Sequence, residues 1–269
     1  YFNSGDSLSR FNGNRYVKYQ ASLATSNTSP SPVLSDVTLC SVNQSTAPTP
    51  TKLVFTTPPP SSSVSGSAFA ATVSVEDAGG NVVTTDNSNV TIALAGGTGG
   101  AALSGTLTVQ AVNGVATFNG LSVDKAGTGY TLHATDASLT PADSSAFNIV
   151  AGAAAAISFT TQPGTNANVP AGSPITLVAH VVDGAGNAVA GESVALAIAG
   201  GLAGSTLTAT SPQTPDASGN ATFNNVSLNK VGTGTLSATD GALSTTGNSF
   251  NIVATSPDHL AFTPAPPAS

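Results

Sequence analysis

Several residue types that commonly stabilise small folds are scarce or missing in this chain. It has no Trp, no Met and a single cysteine, Cys40, so no disulfide can form within it. The expected role of Cys40 is that of a small apolar strand residue, ahead of a reactive thiol. The core therefore has to come from aliphatic side chains and a few rings, 10 Phe and 4 Tyr.

Charge is also scarce. Only 7% of the residues are charged, and 6 Lys and Arg against 13 Asp and Glu give a net charge of −7. So few cations cannot form a basic stripe that neutralises phosphates or an anionic lipid surface. Apolar runs stay far below the roughly 18 residues of a membrane span. We therefore expect no nucleic-acid partner and no membrane insertion in this segment.

The residues that are abundant favour strands and turns. Ala, Val, Thr and Ser dominate, together with 28 Gly and 17 Pro. β-Branched residues pack well on a pleated surface, and Gly and Pro suit the turns between strands. The predicted fold class is all-β.

A stretch of sixteen residues occurs twice. Residues 114–129 read GVATFNGLSVDKAGTG and residues 219–234 read GNATFNNVSLNKVGTG, with ten identical positions. The start of each unit repeats as well, because Phe55, Phe159 and Phe262 follow one another at nearly equal steps. Two further pairs have the same spacing: TIALAGG at 91–97 with ALAIAGG at 195–201, and AFNIVA at 146–151 with SFNIVA at 249–254.

Apolar residues alternate within each unit, which is the period of strands that bury one face. About seven or eight short strands per unit, separated by Gly, Asn, Asp and Pro, are typical of a two-sheet sandwich. GTG at 127–129 and at 232–234 is predicted to form a turn. The predicted inward positions are Ala71, Val73, Val75, Val90, Ile92, Leu94, Phe118, Leu121, Val123, Phe147 and Ile149 in the first unit and Leu177, Ala179, Val181, Val194, Leu196, Ile198, Phe223, Val226, Leu228, Phe250 and Ile252 in the second.

The repeated text resembles a known family. GVATFNGLSVDKAGTGYTLHATD, with the preceding VEDAGGNVV, is similar to the bacterial immunoglobulin-like repeats found in tandem in surface proteins and adhesins. The resemblance covers residues 52–255 and implies tandem immunoglobulin-like β-sandwiches in an extracellular stalk, filament or adhesin. The second unit has GTLSATD where the first has GYTLHATD, so it lacks the position of Tyr130 and any tyrosine corner there.

These patterns predict four segments. Residues 1–50 are a partial β module that resembles the closing strands of a jelly-roll, concanavalin-like module. Residues 51–152 and 153–255 are the two immunoglobulin-like repeats, joined by a short linker that favours a semi-rigid rod. Residues 256–269 are either the first strand of a further repeat or a donor strand, in which Leu260 and Phe262 would complete a neighbouring copy by strand addition.

Catalytic chemistry is hard to assemble from this sequence. The three histidines, His133, His180 and His259, do not occupy matched positions in the two units, and neither do Glu76 and Glu192. Nucleophile elbows, metal-spaced Cys and His clusters and phosphate-binding loops are absent from the sequence. We therefore expect a protein that is not an enzyme and needs no cofactor.

One repeated loop offers oxygen ligands. DAGGN at 77–81 and DGAGN at 183–187 place Asp77 with Asn81 and Asp183 with Asn187 around glycines. Calcium takes six to eight oxygens, more than each loop supplies, so a turn in which the Asp accepts backbone N–H bonds is the favoured interpretation and calcium the alternative.

The sequence thus predicts a non-enzymatic, extracellular or cell-surface structural protein. Its expected partners are other copies of itself or further repeats of the same chain. The alternative is an adhesin or a carbohydrate-binding ancillary module, although sugar platforms generally use exposed aromatic rings, which are few here.

Overall fold

The structure, a computed structural model, describes residues 47–97 and 100–255, and its regular elements there are all β-strands. Most of the predicted module at 1–50, with Cys40, lies outside the described residues, as do His259, Leu260 and Phe262. The first repeat contains β1 (Lys52–Thr57), β2 (Ser62–Val64), β3 (Phe69–Glu76), β4 (Asn89–Gly96), β5 (Leu103–Ser104), β6 (Thr108–Gln110), β7 (Val115–Val123), β8 (Gly127–Thr135), β9 (Ala142–Asp143) and β10 (Phe147–Val150). The second repeat contains β11 (Ala154–Thr161), β12 (Asn168–Pro170), β13 (Ile175–Asp183), β14 (Ala195–Gly200), β15 (Leu207–Thr208), β16 (Asn220–Leu228), β17 (Gly232–Asp240), β18 (Leu243–Thr246) and β19 (Phe250–Val253).

The strands of the first repeat pair into two sheets. One sheet has the order β1-β3-β7-β5, and the other has the order β2-β10-β8-β4-β6, with β9 also paired to β8. The strand β2 runs parallel to β10, while β10 and β4 both run antiparallel to β8. These are the A-B-E-D and C-F-G orders of an immunoglobulin-like sandwich.

The second repeat has the same topology. Its sheets have the orders β11-β13-β16-β15 and β12-β19-β17-β14, with β18 beside β17. As in the first repeat, the short strand β12 runs parallel to the last strand, β19. The all-β class and the tandem immunoglobulin-like sandwiches predicted from the sequence are therefore confirmed.

Each sandwich has a core of its own, formed by the inward residues of its two sheets. The strands β7 and β16 share one alternating pattern of buried and exposed residues, with Phe118 and Phe223 fully buried. The predicted inward positions are buried, with the exception of Leu94 and Ile198. Both lie near the ends of their strands and pack against the core from its margin.

A tyrosine corner is present in the first repeat. Tyr130, at the start of β8, is fully buried and donates its hydroxyl hydrogen bond to the carbonyl oxygen of Lys125 over 3.1 Å. Gly97 makes room for the ring, because a Cβ there would lie 2.2 Å from a ring carbon of Tyr130. In the second repeat the corresponding position is Gly234, and Leu202 fills the space, 2.5 Å from where a Cβ of Gly234 would lie.

The prediction of a turn at GTG is wrong, because both GTG segments begin strands. In the first repeat β8 bulges here, with three steps from Gly127 to Tyr130 opposite two steps on β10, and Gly129 has φ 75°. In the second repeat β17 pairs with β19 without a shift. The missing residue of the second unit is therefore the extra residue of this bulge.

Candidate functional site

The two Asp-to-Asn loops form the same turn. In head loop 1 (residues 77–81) Asp77 Oδ1 accepts the backbone N–H groups of Gly79 and Asn81, both over 2.9 Å. In head loop 2 (residues 183–187) Asp183 Oδ1 accepts those of Ala185 and Asn187 over 2.9 and 2.8 Å. Each loop follows the third strand of its repeat, β3 or β13, so it lies at the end of the sandwich at which the first strand begins. We call this end the head and the opposite end the tail.

The surroundings of the two loops differ. Asp183 and Asn187 are buried, with 4% and 7% of their surface exposed. Asp77 is half-buried and Asn81 is exposed. Since the turns themselves match, the difference comes from what covers head loop 2, and that is the tail of the first repeat.

Asp183 bonds directly to the first repeat and to the linker. Its Oδ2 accepts the hydroxyl of Ser65 over 2.6 Å and the N–H of Gly152 over 2.8 Å. Ser65 directly follows β2, and Gly152 lies between the end of β10 and the start of β11. One carboxylate thus bonds to its own loop through both oxygens and to the first repeat and the linker through Oδ2.

Asn187 makes the second half of the connection. Its Oδ1 accepts the N–H of Ala126 over 3.0 Å, and its Nδ2 donates to the carbonyl oxygen of Asp124 over 2.9 Å. Between them, Lys125 Nζ donates to the carbonyl oxygen of Ala185 over 3.3 Å. The amide therefore bonds to both sides of a single backbone turn between β7 and β8.

The first repeat holds these groups in place through its own fold. Gly66 donates its N–H to the carbonyl oxygen of Val123, and Ser65 donates its N–H to that of Val150, which fixes the backbone at Ser65. Tyr130 holds the turn at Lys125 through its hydroxyl. We call Ser65, Asp124–Ala126 and Gly152 the tail surface of the first repeat.

The electrostatics of Asp183 follow from these bonds. Burial alone would raise the pKa of Asp183, but the Ser65 hydroxyl, the Asn187 amide and the Gly152 N–H outweigh it and hold the pKa well below its usual range. The N–H and side-chain amide of Asn81 likewise lower the pKa of Asp77. Both carboxylates are therefore ionised at neutral pH.

The donor pattern at both loops fits a turn better than calcium. The oxygens of Asp183 face N–H and O–H donors: two backbone N–H groups and the Asn187 side-chain amide of its own loop, one N–H of the linker, and the Ser65 hydroxyl. A cation would have to displace these donors, and calcium needs six to eight oxygens. Within residues 47–97 and 100–255, groups of three or more His, Cys, Asp or Glu suited to a metal are not found.

Three other titratable residues named in the sequence analysis, His133, His180 and Glu76, form side-chain pairs within their own repeats. His133 Nδ1 lies 2.6 Å from Asp143 Oδ1 on the exposed face of β8, and His180 Nδ1 lies 3.0 Å from Asn220 Oδ1. Glu76 pairs with Lys52 over 3.6 Å. An open depression of 440 Å³ beside β4 and β8 is lined by polar and small apolar residues with one carboxylate, that of Asp136.

Asp136 and Asp240 lie at equivalent positions at the head of the two repeats, but their hydrogen bonds differ. Asp136 accepts a hydrogen bond from the hydroxyl of Ser88, which also lies 2.6 Å from Asp86 Oδ1. The counterpart of Asp136 is Asp240, because Asp136 directly follows β8 and Asp240 ends β17, the strands that pair with β4 and β14. Glu192 stands where the first repeat has Ser88, and Asp240 Oδ2 is buried without a hydrogen-bond partner among the described residues. A hydroxyl donor has been exchanged for a carboxylate.

Sequence reasoning found the two head loops but missed the tail surface. Asp77, Asn81, Asp183 and Asn187 were singled out, whereas Ser65, Gly152 and the turn at 124–126 were not. The sequence did contain one signal for this contact, the position of head loop 2. The loop lies at the end of its repeat that faces the linker, and the linker has only three residues between Val150 and Ala154. The structure brings Asp183 and Asn187 to one interface and leaves Asp77 and Asn81 outside it.

Several solved structures are similar to about three quarters of this chain. An adhesin of Escherichia coli, FdeC, is 21% identical with a TM-score of 0.45, and the match covers 76% of this chain and 63% of that one. The Yersinia pseudotuberculosis adhesin InvE is 15% identical with a TM-score of 0.33, covering 74% and 58%. Domains 5–6 of the S-layer protein SbsC are 18% identical with a TM-score of 0.30, covering 78% of this chain and 100% of theirs.

These similarities concern the fold and leave function open. This chain spans about three fifths of the length of the two adhesin structures, 63% and 58%. No protein-family model and no curated protein matches the sequence. Within the described residues, the structure contains no helix of the length and apolarity that a membrane crossing requires.

Proposed function

We propose that this chain is a non-enzymatic structural segment of an extracellular or cell-surface protein, a stalk or filament in which immunoglobulin-like repeats hold one another at a fixed angle. The observation that carries the proposal is the junction at Asp183. Five hydrogen bonds cross it, and the carboxylate and amide that form most of them are buried. A site for turnover is not needed for such a role.

The chemistry of the junction supports a fixed angle over a loose tether. Relative motion is the usual expectation for two domains joined by a short linker with a small interface. Here any rotation would break charge-assisted hydrogen bonds at Asp183, each of which contributes about 1.5–3 kcal/mol. The linker adds to the constraint, since Gly152 both connects the repeats and donates to Asp183.

A matched pair of loop variants tests the proposal. Asp183→Ala removes the carboxylate at the junction, and Asp77→Ala removes the same carboxylate from a turn of the same geometry outside it. Small-angle X-ray scattering of the full chain should show a broader distribution of long distances for Asp183→Ala and an unchanged one for Asp77→Ala. Equal curves for the wild type and both variants would show that the carboxylate does not hold the repeats.

Carbohydrate binding is the alternative function, and it has a separate test. The exposed large apolar residues of the described part are five valines, and its one tyrosine, Tyr130, is buried. Stacking on a sugar ring generally uses exposed aromatic rings, so the described surface offers little support for it. A specific signal for the full chain on a glycan array would replace the structural proposal with an adhesin or ancillary binding module.

A further inference from the structure

Head loop 1 has the same structure as the interface loop of the second repeat, but it forms no such interface within residues 47–97 and 100–255. Its turn matches head loop 2, including the N–H of the Asp, which donates to the Asn carbonyl oxygen over 2.9 Å in both loops. It also has the same glycine conformation, with φ 82° at Gly80 and φ 77° at Gly186. Asn81 Nδ2 contacts both oxygens of Asp77 over 3.2 Å, so the free loop holds the geometry that head loop 2 uses at the junction.

The tail of the second repeat carries the complementary groups. Its turn between β16 and β17, Asn229–Val231, corresponds to Asp124–Ala126, and Val231 is exposed to 64%. Ala171 stands where the first repeat has Ser65, since both donate their N–H to the last strand of their sheet, over 2.8 and 2.9 Å. Thr255, two residues after β19, corresponds to Gly152 and is exposed. We call these residues the tail surface of the second repeat.

Most of the contacts at the junction come from backbone groups, so they survive these changes of side chain. The N–H groups of Val231 and Thr255 and the carbonyl oxygen of Asn229 replace those of Ala126, Gly152 and Asp124. Lys230 keeps the ammonium group of Lys125. The Ser65 hydroxyl alone has no counterpart, because alanine stands in its place.

We infer that head loop 1 docks on the tail surface of the second repeat of another copy of this chain. The contact repeats the hydrogen bonds of the internal junction: Asp77 Oδ2 accepts from Thr255, and Asn81 pairs with Asn229 and Val231. A head that binds a tail is a heterologous interface, so it propagates from copy to copy and builds a filament. The inference rests on the proposed structural function and names its partner.

A contact of this kind belongs to the weak class. It consists of about five hydrogen bonds with little apolar area, and it lacks the linker that raises the effective concentration at the internal junction. Sedimentation equilibrium should therefore be run on the full chain up to roughly millimolar concentration. The weight-average mass of the wild type should rise past twice the monomer mass, with amide NMR shifts at Gly79, Asn81 and Val231.

Two variants with opposite defects make the test specific. Asp77→Ala removes the carboxylate of head loop 1 and leaves the tail surface of the second repeat intact. Val231→Pro removes the N–H of Val231 from that tail surface and leaves head loop 1 intact. Each variant should remain monomeric alone. A mixture should stop at twice the monomer mass, because the intact head loop 1 of Val231→Pro can bind the intact tail surface of Asp77→Ala, and the two surfaces that remain are both defective. The charge-matched control, Asp143→Ala at the exposed end of β9, should associate as the wild type does.

Three results would overturn the inference: a wild type that stays monomeric with unshifted amides, an Asp77→Ala variant that associates as well as the wild type, or variants that remain monomeric when mixed. A loop covered by the residues that precede it in its own chain would give the first of these. Asp183→Ala keeps head loop 1 and the tail surface of the second repeat, so it should still associate. An internal junction that Asp183→Ala leaves unchanged would therefore count against the proposed function alone.

Discussion

Gly97 shows how a single missing side chain decides the core of the first repeat. The ring of Tyr130 occupies the place of its Cβ, and Gly97 also has φ 71°. Gly100 has φ 85° and open space around its Cβ position. An alanine would therefore be strained in the backbone at both positions, and the two positions differ only in the packing around its Cβ.

Gly97→Ala is expected to destabilise the first repeat more than Gly100→Ala does. Both variants carry the cost of a left-handed alanine, about 1 kcal/mol, and Gly97→Ala adds an overpacking cost of about 1–3 kcal/mol. Urea unfolding followed by NMR of amides in each repeat measures the difference. Equal losses in the two variants would mean that the ring of Tyr130 moves aside freely.

Asp183 predicts a pH dependence with a definite sign. Its folded pKa lies below the unfolded value, so its stabilisation is complete above the unfolded pKa of about 3.9 and is lost as the pH falls below it. Asp183→Asn keeps the shape but loses one acceptor oxygen, and it should cost about 1.5–3 kcal/mol at pH 7. The free energy of unfolding, measured against pH, should show the gap to the wild type closing below about pH 4. A gap that stays constant down to pH 2 would contradict the assignment.

The orphan oxygen of Asp240 predicts a stabilising substitution. Glu192→Ser brings to the second repeat the hydroxyl that Ser88 offers to Asp136 in the first. Satisfying a buried acceptor should raise the free energy of unfolding by about 1 kcal/mol, measured in urea. Glu192→Ala, which removes the carboxylate and adds no donor, is the control and should gain less.

At the level of elements, the strands were predictable and the junction was not. The inward positions of β3, β7, β13 and β16 follow from a period of two, because one face of each strand packs in the core. The burial of Asp183 and the greater exposure of Asp77 do not follow from any local pattern, since DGAGN and DAGGN form the same turn and only DGAGN bonds to the neighbouring repeat. The turn expected at GTG failed for a related reason: Gly serves there in a bulge and in close packing against Gly200, which local sequence does not distinguish from a turn.

The hydrogen bond between Ser65 and Asp183 can be tested with a matched pair of serine variants. Ser65→Ala removes the hydroxyl that donates to Asp183, while Ser67→Ala changes an exposed serine on the same turn. Loss of one charge-assisted bond should speed hydrogen exchange at Gly152 and Ala126 by roughly tenfold. Exchange rates that match those of Ser67→Ala would show that the Ser65 hydroxyl does not stabilise the junction.

For the whole molecule, two separate cores imply that each repeat resists unfolding by itself, whereas the junction couples their orientation. The residues of the two cores do not overlap, and the bonds at Asp183 and Asn187 join the sandwiches through polar groups at their ends. A structural segment of this kind transmits direction along the chain. Its function would then depend on a few buried polar atoms and on no reactive group.

Residual dipolar couplings of backbone amides in the aligned full chain test this account most directly. Alignment tensors fitted separately to residues 52–150 and 154–253 should agree in magnitude and direction for the wild type, and should diverge for Asp183→Ala. Two different tensors in the wild type would contradict the account, because they would show that the repeats reorient freely despite the hydrogen bonds between them.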